Sequence, residues 1–215
     1  MFRGPFLRIR TPFTTAASGW EQHLEWRRDG WTPYAHQARA FARLTSANGH
    51  TPQPTMVTTG TGSGKTESFL YPVLDHCRRE RAAGKAGIKA VLLYPMNALA
   101  TDQAQRINEL LIGHRDELGS VTAGLYIGDR AAIQYERVYT RRSDMQLTPP
   151  DILITNYKML DLLLQRVDDA PLWQDADIRY VVVDEFHSYD GAQGTDVAML
   201  LRRLASVVGA SEDGH

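Results

Sequence analysis

The stretch Met56–Glu67 reads Met-Val-Thr-Thr-Gly-Thr-Gly-Ser-Gly-Lys-Thr-Glu and constrains the fold more than any other part of the chain. Apolar and β-branched residues lead into glycines at 60, 62 and 64, then into Lys65 and Thr66 at the head of an amphipathic run. That order predicts a strand, a glycine-rich loop and a helix N-terminus, which is the design of a phosphate-binding loop. Gly60, Gly62 and Gly64 permit backbone angles that turn amide N–H groups inward. Those donors and the positive end of the following helix favour an anion such as a triphosphate. Lys65 can reach the β- and γ-phosphates, and the Thr66 hydroxyl can ligate Mg²⁺. Thr59, Thr61 and Ser63 complete the candidate loop.

A chain of 215 residues buries one good-sized core. Hydrophobic content of 43% against 23% charged residues fits an ordinary globular domain, and a net charge of −1 gives no global signature of nucleic-acid binding. A local basic patch stays open, because electrostatics act through distribution as well as sum. Cys77 is the one cysteine, which excludes an intrachain disulfide and a cysteine-rich zinc site within the chain. It reads as a buried small hydrophobe. No run of about 18 apolar residues is present, and the N-terminus lacks a signal-peptide apolar region, so the expected location is cytoplasmic, with no membrane partner.

Taken in order, residues 1–30 are expected to be an extension, interrupted by Pro5 and Pro12 and opening a short helix near Trp20. Thr32 and Pro33 are the expected N-cap and first residue of a helix that carries Gln37 and ends near Asn48 and Gly49. An amide such as Gln37 can pair with both the N6 donor and the N7 acceptor of adenine, or it can be a solvated helix residue. After the loop, a helix over 68–81 carries Pro72 as an expected kink. Arg78, Arg79, Arg81, Lys85 and Lys89 follow, and they read as a solvated charge run near a helix C-terminus. Strands are expected over 88–94, 121–127, 151–155 and 178–183. Helices are expected over 98–112, 158–167 and 193–208, with a helix and then a mobile loop over 129–148.

Strands alternating with helices predict a mostly parallel sheet covered on both faces. Ligands in such α/β folds bind at the carboxyl ends of the strands. Gly60–Thr66, Pro95–Asn97, Gly128–Asp129, Thr155–Tyr157 and Asp184–His187 all fall there in this reading. The last of these follows Tyr-Val-Val-Val with Asp184-Glu185-Phe186-His187. Two adjacent carboxylates at a strand end repel unless a cation intervenes. Asp184 would hold Mg²⁺, and Glu185 would orient and deprotonate an attacking water.

In combination, Gln37, the Thr59–Thr66 loop, Tyr94-Pro95-Met96-Asn97-Ala98-Leu99-Ala100, Thr155-Asn156-Tyr157 and Asp184-Glu185-Phe186-His187 resemble a superfamily 2 DEAD/DEAH-box helicase. The loop's departure from the strict pattern, with Thr59 in place of the first glycine, is the form seen in helicase-type ATPases. The resemblance covers about residues 31–208 and corresponds to a RecA-like P-loop NTPase lobe, with 209–215 as a tail. Tyr-Pro-Met-Asn-Ala-Leu-Ala and Asp190-Gly-Ala-Gln-Gly-Thr look most like large bacterial DExH helicases with a cysteine-cluster C-terminal domain, some of which serve DNA repair or phage defence.

The resemblance implies ATP and Mg²⁺ as cofactors and ATP-driven movement on a nucleic-acid strand. It assigns Gln37 to adenine, Lys65 and Thr66 to phosphate and Mg²⁺, and Asp184 and Glu185 to metal and water. It gives His187 the coupling of ATP to nucleic acid, and it sets Pro95, Asn97, Thr155 and Asn156 along a strand-binding face. Single-stranded DNA is expected over RNA. Motif III and the second RecA-like lobe are not in this sequence, and with them goes the arginine worth about 10³–10⁵ in turnover in other nucleotide hydrolases. The expectation is therefore a fragment, a truncated product or half of a split enzyme, weakly active or inactive by itself. The second lobe would be a partner in cis or in trans. Two other classes compete: a P-loop ATPase of a transporter or clamp-loader kind, against which Gln37 and Asp-Glu-x-His argue, and a non-catalytic half-helicase that binds nucleotide, nucleic acid or a partner.

Overall fold

The computed structural model describes residues 12–60, 62–128 and 134–209. Thr61 and Asp129, both named above, lie outside the described residues, as do the first part of the extension and nearly all of the tail. The chain forms two compact units, Met1–Pro72 and Val73–His215. The division falls inside a helix.

The first unit is built on aromatic rings. Helix α1 (Ala35–Leu44) buries Phe41, and Trp31 stacks on Tyr71 at 4.7 Å between ring centroids. Trp20 meets the edge of Trp31 and also touches Phe41. Trp20 of the extension is thus part of this core. Thr15 and Tyr34 form an antiparallel bridge, flanked by Ala16 N–H to Pro33 O at 2.8 Å and Ala35 N–H to Thr14 O at 2.8 Å. This pairing keeps Thr32 and Pro33 extended, so the helix starts later than expected, with Tyr34 as its N-cap. The Gln37 side-chain carbonyl accepts the Tyr34 N–H at 2.7 Å and closes that end. At the other end Thr45 turns extended, with ψ 141°, and ends α1; the 3-10 turn Ala47–Gly49 follows, with Asn48 inside it at a left-handed φ of 54°.

The strand expected before the glycine loop does not form: residues 51–60 carry no regular secondary structure. β-Branched residues make a strand only when a neighbour completes the ladder. Among the described residues of this unit, no strand runs beside Met56–Thr59. Helix α2 (Lys65–Ala82) follows and runs through Pro72, whose missing N–H leaves the Ser68 carbonyl without its helical partner.

The second unit is an α/β layer structure. Its strands are β1 (Ala90–Leu93), β2 (Ala123–Tyr126), β3 (Val138–Tyr139), β4 (Ile152–Thr155) and β5 (Tyr180–Val183). They form one sheet in the order β3-β2-β4-β1-β5, and every pairing is parallel. β1 and β4 are buried at every position, as strands covered on both faces must be. Helices α3 (Asn97–Gly113), α4 (Arg115–Leu118), α5 (Arg142–Leu147), α6 (Tyr157–Gln165) and α7 (Gly191–Val207) complete the unit. Val91, Leu93 and Leu153 share a core with Leu160 and Leu163 of α6, Leu172 and Trp173, and Leu200 and Leu204 of α7. Ala90, Leu92, Ile152 and Ile154 alternate with these and face the other side. Helix α3 lays its buried stripe of Ala100, Ala104, Ile107 and Leu111 over β2 and β4.

Three expectations for this unit need correction. Over 134–148 the order is a strand and then a helix, β3 and α5, and a two-residue strand is too short for periodicity to reveal. Helix α5 comes close to β2 because position 124 is glycine: a Cβ there would lie 2.6 Å from Met145 Sδ. The expected loop after α6 contains the 3-10 turn Val167–Trp173, fixed by buried Asp169, which accepts from Arg142 Nε at 2.7 Å and Gln146 Nε2 at 2.9 Å. The third correction concerns the basic run, which is not simply solvated. Lys89 is 1% exposed, and its Nζ donates to Asp151 Oδ1 at 2.7 Å and to the Gly87 carbonyl at 2.9 Å. Arg81 Nε donates to both oxygens of Asp151, at 2.7 and 2.9 Å. The carboxylate at the start of β4 draws these cations inward.

Cys77 is fully buried, and burial pushes its thiol well above the ordinary range, so it is an inert apolar filler as expected. No helix among the described residues is long and apolar enough to cross a membrane.

Candidate functional site

The glycine loop sits at the N-terminus of α2 in the first unit. Gly62 and Gly64 adopt left-handed φ values of 77° and 73°, angles that glycine takes without strain, whereas Gly60 does not take such an angle. Two side chains of α1 hold the loop: His36 Nε2 lies 2.9 Å from the Ser63 carbonyl, and Gln37 Nε2 donates to the Gly64 carbonyl at 2.9 Å. The Thr59 and Ser63 hydroxyls share a hydrogen bond of 2.5 Å. Lys65 and Thr66 are the first two residues of α2 and are half-buried.

Gln37 is 2% exposed and engaged on both amide atoms, by Tyr34 N–H and by Gly64 O. An adenine could be read by this amide only if it exchanged those partners. Its structural work is to place the loop, and a Cβ on Gly64 would sit 2.4 Å from its Nε2. Gln37→Ala is therefore expected to loosen the loop and to lower MgATP affinity about fivefold, the worth of roughly one net hydrogen bond. The same variant should weaken ATP and GTP alike, which competition titration of the two nucleotides checks.

The acidic pair lies in the second unit at the end of β5. Asp184 N–H donates to Leu93 O at 3.0 Å and extends the β1–β5 ladder by one residue. Asp184 Oδ1 accepts the Glu185 N–H at 2.8 Å. Glu185 holds a left-handed φ of 48°, unusual for a residue with a Cβ and a strain of the kind concentrated at functional sites. In the turn that follows, Phe186–Ser188, His187 is exposed, with its Nδ1 3.3 Å from Glu185 Oε2. A carboxylate with an imidazole at its side can hold and move a proton from water.

Tyr94 and Tyr189 flank this pair. Tyr94 follows β1, and Tyr189 follows the turn after Glu185; both are buried. Burial first, and then the Asp184 carboxylate, push both phenols up, Tyr189 to about 12 and Tyr94 further, so each carries its proton at neutral pH. The edge of the Tyr189 ring meets Tyr157 at 6.1 Å.

Tyr157 borders a hollow of about 450 Å³ at the carboxyl ends of β1, β2 and β4, lined also by Pro95, Asn97, Gly128 and Asn156. Lys158, Met159 and Gln193 complete its wall. The first turns of α3, α6 and α7 all contribute to it. Asn156 caps α6 by accepting Met159 N–H at 2.9 Å and donates to Asn97 Oδ1 at 2.7 Å, which locks two of the expected strand-binding residues together. Thr155 is fully buried, and its hydroxyl donates to the Tyr126 carbonyl at 2.6 Å, so it supports the wall from behind.

Lys158 and Gln193 were not among the residues expected from sequence. A signal for Lys158 was present: a lysine two residues after the capping Asn156, in the first turn of α6, opposes the helix dipole, a local conflict that structure alone does not reward. Its ammonium lies 5.9 Å from the Tyr157 ring centroid. Gln193 had no such signal, because only the fold brings α7 to α3 and α6.

The family model described as DEAD/DEAH box helicase matches residues 34–212. Among known proteins, the Druantia protein DruE of Escherichia coli (strain UMEA 4076-1) is 29% identical over 81% of this chain and 15% of its own length. The crystal structure of the DUF1998 helicase MrfA bound to DNA and AMPPNP is similar at a TM-score of 0.68 and 26% identity, covering 93% of this chain and 26% of that one. The structure of Mycobacterium smegmatis helicase Lhr bound to ssDNA and AMP-PNP gives a TM-score of 0.62 at 28% identity, covering 81% of this chain and 21% of that one. This chain thus spans about a quarter or less of the length of each.

Proposed function

We propose, from the premise that this chain belongs to the DEAD/DEAH box helicase family, that it is the ATP-binding lobe of a helicase or translocase that works on single-stranded DNA. The carrying observation is the hollow at Asn97 and Asn156, ringed by three helix N-termini, in a chain that also holds a glycine loop at the head of α2. Helix N-termini and a lysine favour backbone phosphates over bases, and that makes contact independent of sequence. DNA is favoured over RNA because both solved relatives above hold DNA.

In this reading the Gly62–Gly64 backbone and Lys65 bind the phosphates of ATP. Mg²⁺ is assigned to Thr66 in the first unit and to Asp184 in the second, and Asp184 keeps an oxygen for an ion, since the intrachain bond to Glu185 N–H uses Oδ1. The ion, when bound, neutralises charge on the phosphates. Glu185 orients and deprotonates the attacking water, with His187 beside it. A second RecA-like lobe, in the same chain or another, completes the enzyme.

The test is fluorescence anisotropy with a labelled single-stranded oligonucleotide across a salt series. Lys158→Ala should weaken binding of all sequences alike and flatten the log–log salt slope by about 0.7, the share of one phosphate contact on a single strand. An unchanged slope would remove the phosphate from this hollow. Equal binding of RNA of the same sequence would remove the DNA preference.

A further inference from the structure

We propose that the hydroxyls of Tyr94 and Tyr189 are outer-shell partners of the divalent cation held by Asp184, each bonding a water of the ion's own coordination sphere. The proposal rests on the assignment of Asp184 to the metal. It begins from two anomalies. Tyr94 is 1% exposed and Tyr189 5% exposed, yet neither buried hydroxyl has a hydrogen-bond partner within the protein. A buried polar group left unpaired is unfavourable, and two that follow the carboxyl ends of β1 and β5 call for a common cause.

The backbone supplies the placement. Leu93 and Val183 are register partners in the parallel β1–β5 pair, so Tyr94 and Asp184 come next on their two strands at the same sheet edge. Tyr189 comes from the other direction, at the end of the turn that Glu185 opens. The Asp184 carboxylate acts on both phenols, although neither donates to it.

The chemistry selects water as the link. A neutral phenol is a poor direct ligand for a hard cation, which prefers carboxylate and water oxygens. It can, however, accept a hydrogen bond from one water and donate to another group. Mg²⁺ dehydrates reluctantly and keeps several of its waters when bound through one or two carboxylates, so its outer shell must be satisfied by protein groups. Two unpaired hydroxyls at the same end of the β1–β5 pair as Asp184 would supply that shell.

The test uses Mn²⁺ as a paramagnetic stand-in, titrated into the 215-residue chain with AMP-PNP, with free Mn²⁺ read by EPR. The variants are Tyr94→Phe, Tyr189→Phe and their double, with Asp184→Asn as control. The double variant should weaken Mn²⁺ binding about tenfold, as loss of outer-shell partners does. Its unfolding midpoint without metal should be unchanged or raised, because an unpaired hydroxyl has been removed from the interior. Unchanged Mn²⁺ affinity overturns the proposal, and so does a fall in the metal-free midpoint, which would mark a structural role. Mn²⁺ binding lost in Asp184→Asn but kept in the tyrosine variants overturns the proposal alone. If the parent chain binds no Mn²⁺, or if Asp184→Asn binds it as the parent does, the metal assignment of Asp184 falls and the proposal with it.

Discussion

Asp151→Ala is expected to destabilise the second unit by about 3–5 kcal/mol, the cost of breaking a buried ion pair by removing one partner. Asp151 is fully buried and accepts from Lys89 Nζ, from Arg81 Nε on both oxygens, and from the Thr122 N–H at 2.9 Å and the Thr122 hydroxyl at 3.2 Å. Removing it leaves the Lys89 ammonium, 1% exposed, with only the Gly87 and Ala86 carbonyls at 2.9 and 3.3 Å. It also strips the Thr122 N–H and hydroxyl of the carboxylate they bond. The network ties the end of α2 to the starts of β1 and β4, far along the strands from the acidic pair. Stability and ligand binding should therefore separate. Hydrogen exchange of the β1 and β4 amides reports this unit by itself. Their opening free energy should fall by the stated amount, and the double variant Asp151→Leu, Lys89→Met should recover most of it, since an apolar pair of similar volume carries no unpaired charge. A loss below about 1 kcal/mol in the single variant would mean that Lys89 finds water or another anion, as a surface pair would.

Much of the sheet was legible because its strands are short apolar runs that end in polar or glycine residues. Val91–Leu93, Ile152–Ile154 and Val181–Val183 announce themselves by β-branched and apolar content, and the alternation with helices fixes a parallel sheet. What was not legible depended on partners far away in sequence. Met56–Thr59 has the composition of a strand but is not one, because pairing and not propensity makes a ladder. Lys89 looks solvated until Asp151, 62 positions away, is seen to neutralise it. Gln37 was noticed for its amide, but its partners Tyr34 and Gly64 show that the amide serves first to hold the loop. The candidate site followed the same rule. The loop and the acidic pair are contiguous motifs and could be read directly. The hollow draws on three helices, and Lys158 was visible only as a cation at the wrong end of one.

Lys65 also places a cation at a helix N-terminus, and its replacement tests the central claim most directly. It is the first residue of α2, where the dipole disfavours positive charge and alanine would make a better helix. A folded chain without a phosphate to bind gains little from lysine here, whereas a triphosphate gains a charge-assisted hydrogen bond worth about 1.5–3 kcal/mol. Isothermal titration of MgATP into the parent chain and into Lys65→Ala decides between these. A loss of affinity between about tenfold and a hundredfold is expected. The ligand-free unfolding midpoint should be unchanged or slightly raised. Equal MgATP affinity in the two proteins would contradict the account, because a glycine loop that binds nucleotide without its lysine is not the phosphate site on which the helicase reading stands.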